Sequence, residues 1–262
     1  MTEDLGLILD AAREAGELAA RLRRQGLEIE YKADDGTPVT NADLATDALL
    51  TERLRKARPD YGWLSEETAD DPDRLARRRI FVVDPIDGTR AFLNDRPWWS
   101  VAIAVVELGR PVAGVVVAPE RAEIYTAAVG QGASRNGLPI RHSDVGALEG
   151  ARMVGDPLVF GHWSWPIPWP EMTVKRRSST AYRMCLVAAG EFDAAVAPVG
   201  KADWDVAAGD IICREAGCFV GDHHGEAFRF NGERPWQPSL VACAPALAPL
   251  ILERVRHIGT RN

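Results

Sequence analysis

The chain has 262 residues, 46% apolar and 26% charged, which suffices for a sizeable core in one large or two small domains and excludes disordered and fibrous classes. A net charge of −7 with a pI near 5.4 disfavours a broad basic surface, so polymeric nucleic acid is not an expected partner. No run approaches the roughly 18 apolar residues that span a bilayer, MTEDLGLILD lacks the marks of a signal peptide, and the four cysteines show neither C-x-x-C nor zinc-like spacing, so a cytoplasmic chain with free thiols is expected.

Leu5, Ile8, Leu9, Ala12, Ala15, Leu18, Ala19 and Leu22 recur at helical spacing and predict an amphipathic helix ending near Gly26. LEIEYK alternates like a strand, DDGTPVTNAD carries turn chemistry, and a second helix is expected from Asn41 to Ala57 with Leu44, Ala48, Leu49 and Leu54 facing inward. A short strand, WLS, leads to Glu66 and Glu67. After an acidic loop, IFVV is apolar at four consecutive positions and reads as a strand buried on both faces. VAIAVVEL, PVAGVVVAP, AEIYTAAV and the Asn136-Gly137 turn predict antiparallel hairpins with the helices on one face.

From about Ala151 the pattern changes to alternating strand and helix. ARMVG and EMTVKRR read as strands, TAYRMCLVAAG as a helix, FDAAVAP as a strand, WDVAAGDIICREAG as a helix, SLVACA as a strand and APLILERVRH as a helix. That alternation predicts a mostly parallel sheet. The expected division is an α+β half over 1–145, carrying most candidate ligands, and an α/β half over 146–262 that contributes Asp205 and selects the substrate. Between the first two strands of the second half, GHWSWPIPWP is either a rigid, self-packed loop or a substrate-facing wall.

The stretch IFVVDPIDGTR puts Asp84 and Asp87 three positions apart where the apolar strand is expected to end. Pro85 and Gly88 are turn formers, but ligand sites gather at the ends of buried strands. A phosphoaspartate mechanism of the haloacid dehalogenase type needs its acid two positions after the nucleophile, where Ile86 stands, and is disfavoured. Three further acids are candidates: Glu66 at its strand end, Asp43 near the start of the second helix, and Asp205 at the start of WDVAAGDIICREAG. Asp43 and Asp205 could equally serve as helix-terminus caps, and Glu66 with Glu67 as a solvated pair.

Together GTPVTNAD, SEE, VVDPIDGT and WDVAAGDIICREAG resemble the inositol monophosphatase-like family of Mg²⁺-dependent phosphomonoesterases, in order and spacing over nearly the whole chain. The resemblance implies a layered α-β-α-β-α sandwich. It implies metal ligation by Glu66, Asp84, the Ile86 carbonyl, Asp87 and Asp205, with Asp84 bridging two ions. It also implies that Thr89 orients the attacking water with support from Asp43, and that Gly88 and Thr89 receive the phosphate at a helix start. An all-oxygen ligand set suits a hard cation, two or three Mg²⁺ per site with Mn²⁺ as a substitute. Lithium sensitivity and a homodimer are likewise inherited from the family. The rival from another class, a non-catalytic metal- or phosphate-binding module, predicts a missing ligand, and none is missing.

Substrate choice falls to the second half. In inositol-specific members a glutamate lies seven residues before the aspartate that Asp205 matches, and Pro198 stands there. LSEE and RSSTAYRMCLVAAGEFD resemble more closely the branch acting on adenosine 3′,5′-bisphosphate, the 3′(2′),5′-bisphosphate nucleotidases; inositol 1-phosphate and histidinol phosphate are the alternatives. Ser178, Ser179 and Thr180 either face that substrate or cap a helix. Lys175, Arg176, Arg177 and Lys201 offer charge for a second phosphate, and Trp163, Trp165 and Trp169 a stacking face for adenine.

Overall fold

The computed structural model describes residues 2–32, 36–161 and 165–258. Thr2 caps helix α1 (Glu3–Gln25) through its hydroxyl, and the apolar stripe of Leu5, Ile8, Ala12, Ala15 and Ala19 is buried. Strands β1 (Ile29–Tyr31) and β2 (Pro38–Thr40) form a small antiparallel pair ahead of α2 (Asn41–Ala57). On α2, Leu50 and Leu54 reach the core, whereas Leu44, expected inside, is 48% exposed. The helix is rotated because it turns a polar stripe, Asp43, Thr46 and Asp47, inward.

The first sheet runs in order β3 (Gly62–Ser65), β4 (Arg79–Asp87), β5 (Ser100–Glu107), β6 (Arg110–Ala118), β7 (Glu123–Ala128), β8 (Ala133–Arg135) and β9 (Leu138–Ile140). Only β3 and β4 pair in parallel; the remaining pairs are antiparallel, as successive hairpins require. A short helix, α3 (Thr89–Leu93), separates β4 from β5.

The second half contains β10 (Arg152–Val154), α4 (Pro157–Phe160), β11 (Thr173–Lys175), α5 (Thr180–Ala188), β12 (Ala194–Ala197) and β13 (Lys201–Ala202). It continues with α6 (Asp203–Glu215), β14 (Phe219–Gly221), β15 (Trp236–Gln237), β16 (Leu240–Cys243) and α7 (Ala248–Val255). Its main sheet, ordered β11-β10-β12-β16-β14, is mixed rather than mostly parallel: β10 is parallel to β11 and β12, while β16 is antiparallel to β12 and β14. The reversal comes from β14, a three-residue strand directly after α6, joined to β16 by irregular chain instead of a crossover helix.

The layers are α1 and α2, the first sheet, α5 and α6, the second sheet, then α7. Along β4, Phe81 and Val83 pack toward α1 and α2, and Ile80 and Val82 pack toward α5 and α6, which is why IFVV is apolar without alternation. The middle-layer core also takes Val154, Ala195, Val220 and Ala242 from the second sheet. Met153, Val196 and Val241 turn the other way, toward Ile251 and Val255 of α7.

Trp165 and Trp169 are partly buried against this outer cluster, edge to face with each other, and Trp169 also meets Phe160 edge to face. Trp163 lies outside the described residues.

Gly114 lets α6 lie close on β6: a Cβ there would stand 2.5 Å from Ile211 and 3.0 Å from the Ala208 carbonyl. Gly114→Ala is expected to destabilise the fold by about 1–3 kcal/mol through overpacking. Chemical denaturation tests this, and a loss below about 0.5 kcal/mol, the range of an ordinary surface substitution, would contradict the close approach.

Candidate metal centre

Strand β4 does not end at Asp84. It continues to Asp87, pairing Asp84 with Ala102 and Asp87 with Ser100, so three steps on β4 match two on β5. The extra residue is a β-bulge, and it contains Pro85, which has no N–H to give to a ladder. In a regular strand residues three apart point to opposite faces. The bulge brings both carboxylates to one side. Gly88 follows with φ 94°, a left-handed conformation, and a Cβ there would meet the Ser179 nitrogen and the Trp98 carbonyl at 3.0 Å.

Asp205 is the third residue of α6 and accepts the Ala202 N–H at 3.2 Å. Carboxylate oxygens of Asp84, Asp87 and Asp205 all lie within 4.8 Å of one another. Asp87 is buried and well supported: its carboxylate accepts the Ser179 hydroxyl at 2.6 Å and the N–H groups of Thr180 and Ala181 at 3.1 and 2.6 Å. Among the described residues Asp84 accepts only the Ile86 N–H, at 3.1 Å on one oxygen, and its other oxygen is buried without a partner. Seven other buried side-chain polar atoms among the described residues also lack a partner, but the Asp84 oxygen is the one carboxylate oxygen among them. An unpartnered carboxylate oxygen among other carboxylates fits a cation ligand.

The electrostatics agree. Burial pushes Asp84 well above the carboxylate range, with Glu66, Asp87 and Asp205 adding repulsion. Asp87 rises to about 6, because burial and Asp205 outweigh its hydrogen bonds. Burial also raises Asp205, with Lys201 and Arg183 opposing the shift. Glu66 rises to about 8 through burial, opposed by Lys32 and reinforced by Glu67 and Asp205.

Glu66 stands outside the three-aspartate cluster and is bound by Lys32, whose ammonium lies 3.3 Å from Glu66 and 3.0 Å from Glu67. Burial alone would lower the pKa of Lys32, but the two glutamates outweigh it and raise the value. Lys32 lies just past β1 and belongs to no motif that would have marked it. Asp47, also unforeseen, accepts the hydroxyls of Ser65 and Thr68 and steadies the turn that carries Glu66.

The Thr89 hydroxyl donates to the Ile86 carbonyl at 3.2 Å, joining two residues assigned to one site. Asp43 instead forms a capping box, accepting the Thr40 N–H at 2.9 Å and the Thr40 hydroxyl at 2.6 Å; no hydrogen bond joins it to Thr89 among the described residues. Ser179 caps α5 and serves Asp87, and the Thr180 hydroxyl accepts from Arg183 at 2.9 Å. Both residues are buried with those bonds made, whereas Ser178 is exposed. Arg176 pairs with Asp156, Arg177 stacks 3.6 Å over the Trp98 ring, and Lys175 is exposed.

A model of the inositol monophosphatase family matches residues 2–260. The chain belongs to that family. It is 34% identical to the Nus factor SuhB of Pasteurella multocida, covering 98% of this chain and 97% of the relative. It is 33% identical to a histidinol-phosphatase of Chlorobaculum parvum, covering 89% and 91%. Among solved structures, the extragenic suppressor protein suhB of Bartonella henselae superposes with a TM-score of 0.84 at 29% identity, covering 98% and 99%. The layered sandwich is therefore the family fold, and the chain is a phosphoric monoester hydrolase of a metal-dependent family. No helix among the described residues is long and apolar enough to cross a membrane.

A carboxyl with a raised pKa holds its proton in the folded state where the unfolded chain has lost it, so its contribution to stability falls as pH rises from the unfolded pKa to the folded one. For Glu66 that window runs from 4.5 to about 8. Metal-free protein is expected to melt at lower temperature at pH 8 than at pH 6.5, and Glu66→Gln to flatten that fall. Melting curves in chelator test this; an equal fall in the variant would place the titration elsewhere.

Proposed function

We propose that this chain is a Mg²⁺-dependent phosphomonoesterase in which Asp84, Asp87, Asp205, Glu66 and the Ile86 carbonyl hold the ions. The observation that carries this reading is the buried, unpartnered oxygen of Asp84 inside the three-aspartate cluster. Bound at two or three positions, Mg²⁺ would polarise the phosphoryl group, lower the pKa of a water and neutralise the leaving oxygen. The remaining work falls to side chains. Thr89, anchored on Ile86, orients the attacking water, and Asp43 supports that wall by fixing Thr40 at the start of α2. Gly88 and Thr89 offer backbone N–H groups to the phosphate; α3 has only five residues, so these groups matter more than its dipole.

For the substrate we favour adenosine 3′,5′-bisphosphate. Arg183 is buried on α5, donates to the Ser179 carbonyl and the Thr180 hydroxyl, and feels the charges of Asp87, Asp205 and Asp156. No carboxylate lies within ion-pair distance of it among the described residues. Once cations neutralise the aspartates, a second anionic group on the substrate would balance this guanidinium. Pro198, following β12, cannot accept a hydrogen bond from an inositol hydroxyl through its side chain. The histidinol-phosphatase relative supports the second reading, histidinol phosphate, although that substrate brings an amine toward the arginine. Homodimerisation, sensitivity to Li⁺ and a cytoplasmic setting complete the proposal; the four cysteines, all free, suit a reducing compartment.

Purified protein is expected to release phosphate from adenosine 3′,5′-bisphosphate faster than from inositol 1-phosphate or histidinol phosphate, and only with Mg²⁺ present. Asp87→Asn should cost at least about a hundredfold, since even outer-shell changes at metal sites cost 10–100-fold. Full activity in that variant would sink the site, and preference for histidinol phosphate would sink the substrate.

Arg183→Met should reduce kcat/KM for the bisphosphate more than for a simple monoester, and Pro198→Glu should raise turnover of inositol 1-phosphate. Equal losses on both esters would remove the role of Arg183.

A further inference from the structure

The 3₁₀ turn Pro72–Ala76, which links β3 to β4, buries an arginine: Arg74 is 2% exposed. Its guanidinium is nearly saturated. Two nitrogens donate to the Asp70 carboxylate at 2.5 and 2.8 Å, and the third donates to the Asn231 side-chain oxygen at 2.6 Å and the Gly232 carbonyl at 3.0 Å. Asn231 returns a bond from its amide to the Arg74 carbonyl at 3.2 Å.

Asn231 belongs to the irregular chain between β14 and β15, far away in sequence, and has φ 62°. Its backbone N–H donates to Asp203 at 2.8 Å, and Asp203 is the first residue of α6. Asp203 is fully buried; its other oxygen accepts Gln237 at 2.7 Å, and its N–H donates to the Pro235 carbonyl at 2.9 Å. A continuous run of hydrogen bonds thus joins the β3–β4 link to the first turn of α6. The elements it joins are those that carry the acids: β3 leads into Glu66, β4 holds Asp84 and Asp87, and α6 holds Asp205.

We propose that Arg74 and Asn231 form a latch that positions the start of α6 against the first sheet, so that Asp205 arrives preorganised beside Asp84 and Asp87. The inference rests on the metal reading above. A buried arginine held only for stability needs no tie toward α6, because Asp70 and one carbonyl would satisfy most of its donors. The link through Asn231 to Asp203 adds what stability alone does not require: a fixed register between two sources of ligands that lie far apart in the sequence. Metal sites depend on such outer contacts, since a ligand free to drift must be reordered each time an ion binds.

Asn231→Gly is the cleanest test, because glycine keeps the left-handed backbone and the N–H on Asp203 while removing the side-chain link to Arg74. Mn²⁺ binding followed by electron paramagnetic resonance supplies a readout independent of turnover. Asn231→Gly and Arg74→Lys are each expected to raise the Mn²⁺ Kd and the Mg²⁺ concentration for half-maximal activity about 3–10-fold, with kcat at saturating Mg²⁺ within about twofold of wild type. Asn231→Asp, which keeps the acceptor for Arg74, should stay near wild type. Arg152→Met breaks a comparable pair with Asp193, outside the metal centre, and should lower the melting temperature without changing the Mn²⁺ Kd.

Metal affinity unchanged in Asn231→Gly and Arg74→Lys, beside a lowered melting temperature, would overturn the latch and leave a structural arginine. A wild-type protein that binds no Mn²⁺ would overturn the metal reading and the latch with it.

Discussion

Asp84, Asp87 and Asp205 hold carboxylate oxygens within 4.8 Å of one another where little water reaches. At about 4 Å, two unit charges repel by roughly 4 kcal/mol at an effective dielectric of about 20, so a site with three or four ionised carboxylates does not hold together unaided. The chain answers the repulsion unevenly. Asp87 receives three hydrogen bonds from the start of α5, Asp205 receives one from the start of α6, and Glu66 is matched by Lys32. Asp84 receives one bond on one oxygen and none on the other. Compensation is weakest at Asp84, the acid that faces Glu66, Asp87 and Asp205 at once.

That constraint explains the architecture around it. Both middle-layer helices begin at the cluster, α5 with its cap Ser179 on Asp87 and α6 with Asp205 in its first turn, so two positive helix ends face the same carboxylates. The bulge in β4 is the counterpart from the first sheet. Had Pro85 and Ile86 continued a regular pleat, Asp87 would face α1 and α2 and the α5 N–H groups would lack their anion.

Much of this was legible in the sequence because periodicity and motif chemistry act locally. The helices α1, α2, α5, α6 and α7, the hairpin strands of the first sheet, and the acids of DPIDGT and WDVAAG could all be found without coordinates. Properties decided by contacts between distant segments could not. The bulge is a register fact that exists only against Ala102 and Ser100 of β5, so the stretch read as a strand that stops. Short β14 goes unassigned because three residues carry no periodicity, and without it a mixed sheet looks parallel. Ser179 and Thr180 offered two roles, and only the approach of Asp87 from 92 residues away assigned their bonds. For the tryptophan loop two readings stood open, because composition reports aromatic surface without saying which side it faces.

The two halves of the chain differ in how tightly physics constrains them. Carboxylates in such a cluster admit few substitutions, since a shortened or neutral side chain changes both charge balance and reach. Substrate selection asks only for a surface complementary to the ester beyond its phosphate, and many side chains meet that demand. Pro198 and Arg183 show how far such a surface can move: one position has no side-chain hydrogen-bonding group, while a guanidinium is buried one turn into α5. On the proposed reading, each cation bound by the aspartates would reduce the negative charge that balances this guanidinium. Substrate and metal would then be coupled through charge: an ester with a second anionic group would restore the balance, whereas a neutral or cationic ester would leave the arginine uncompensated.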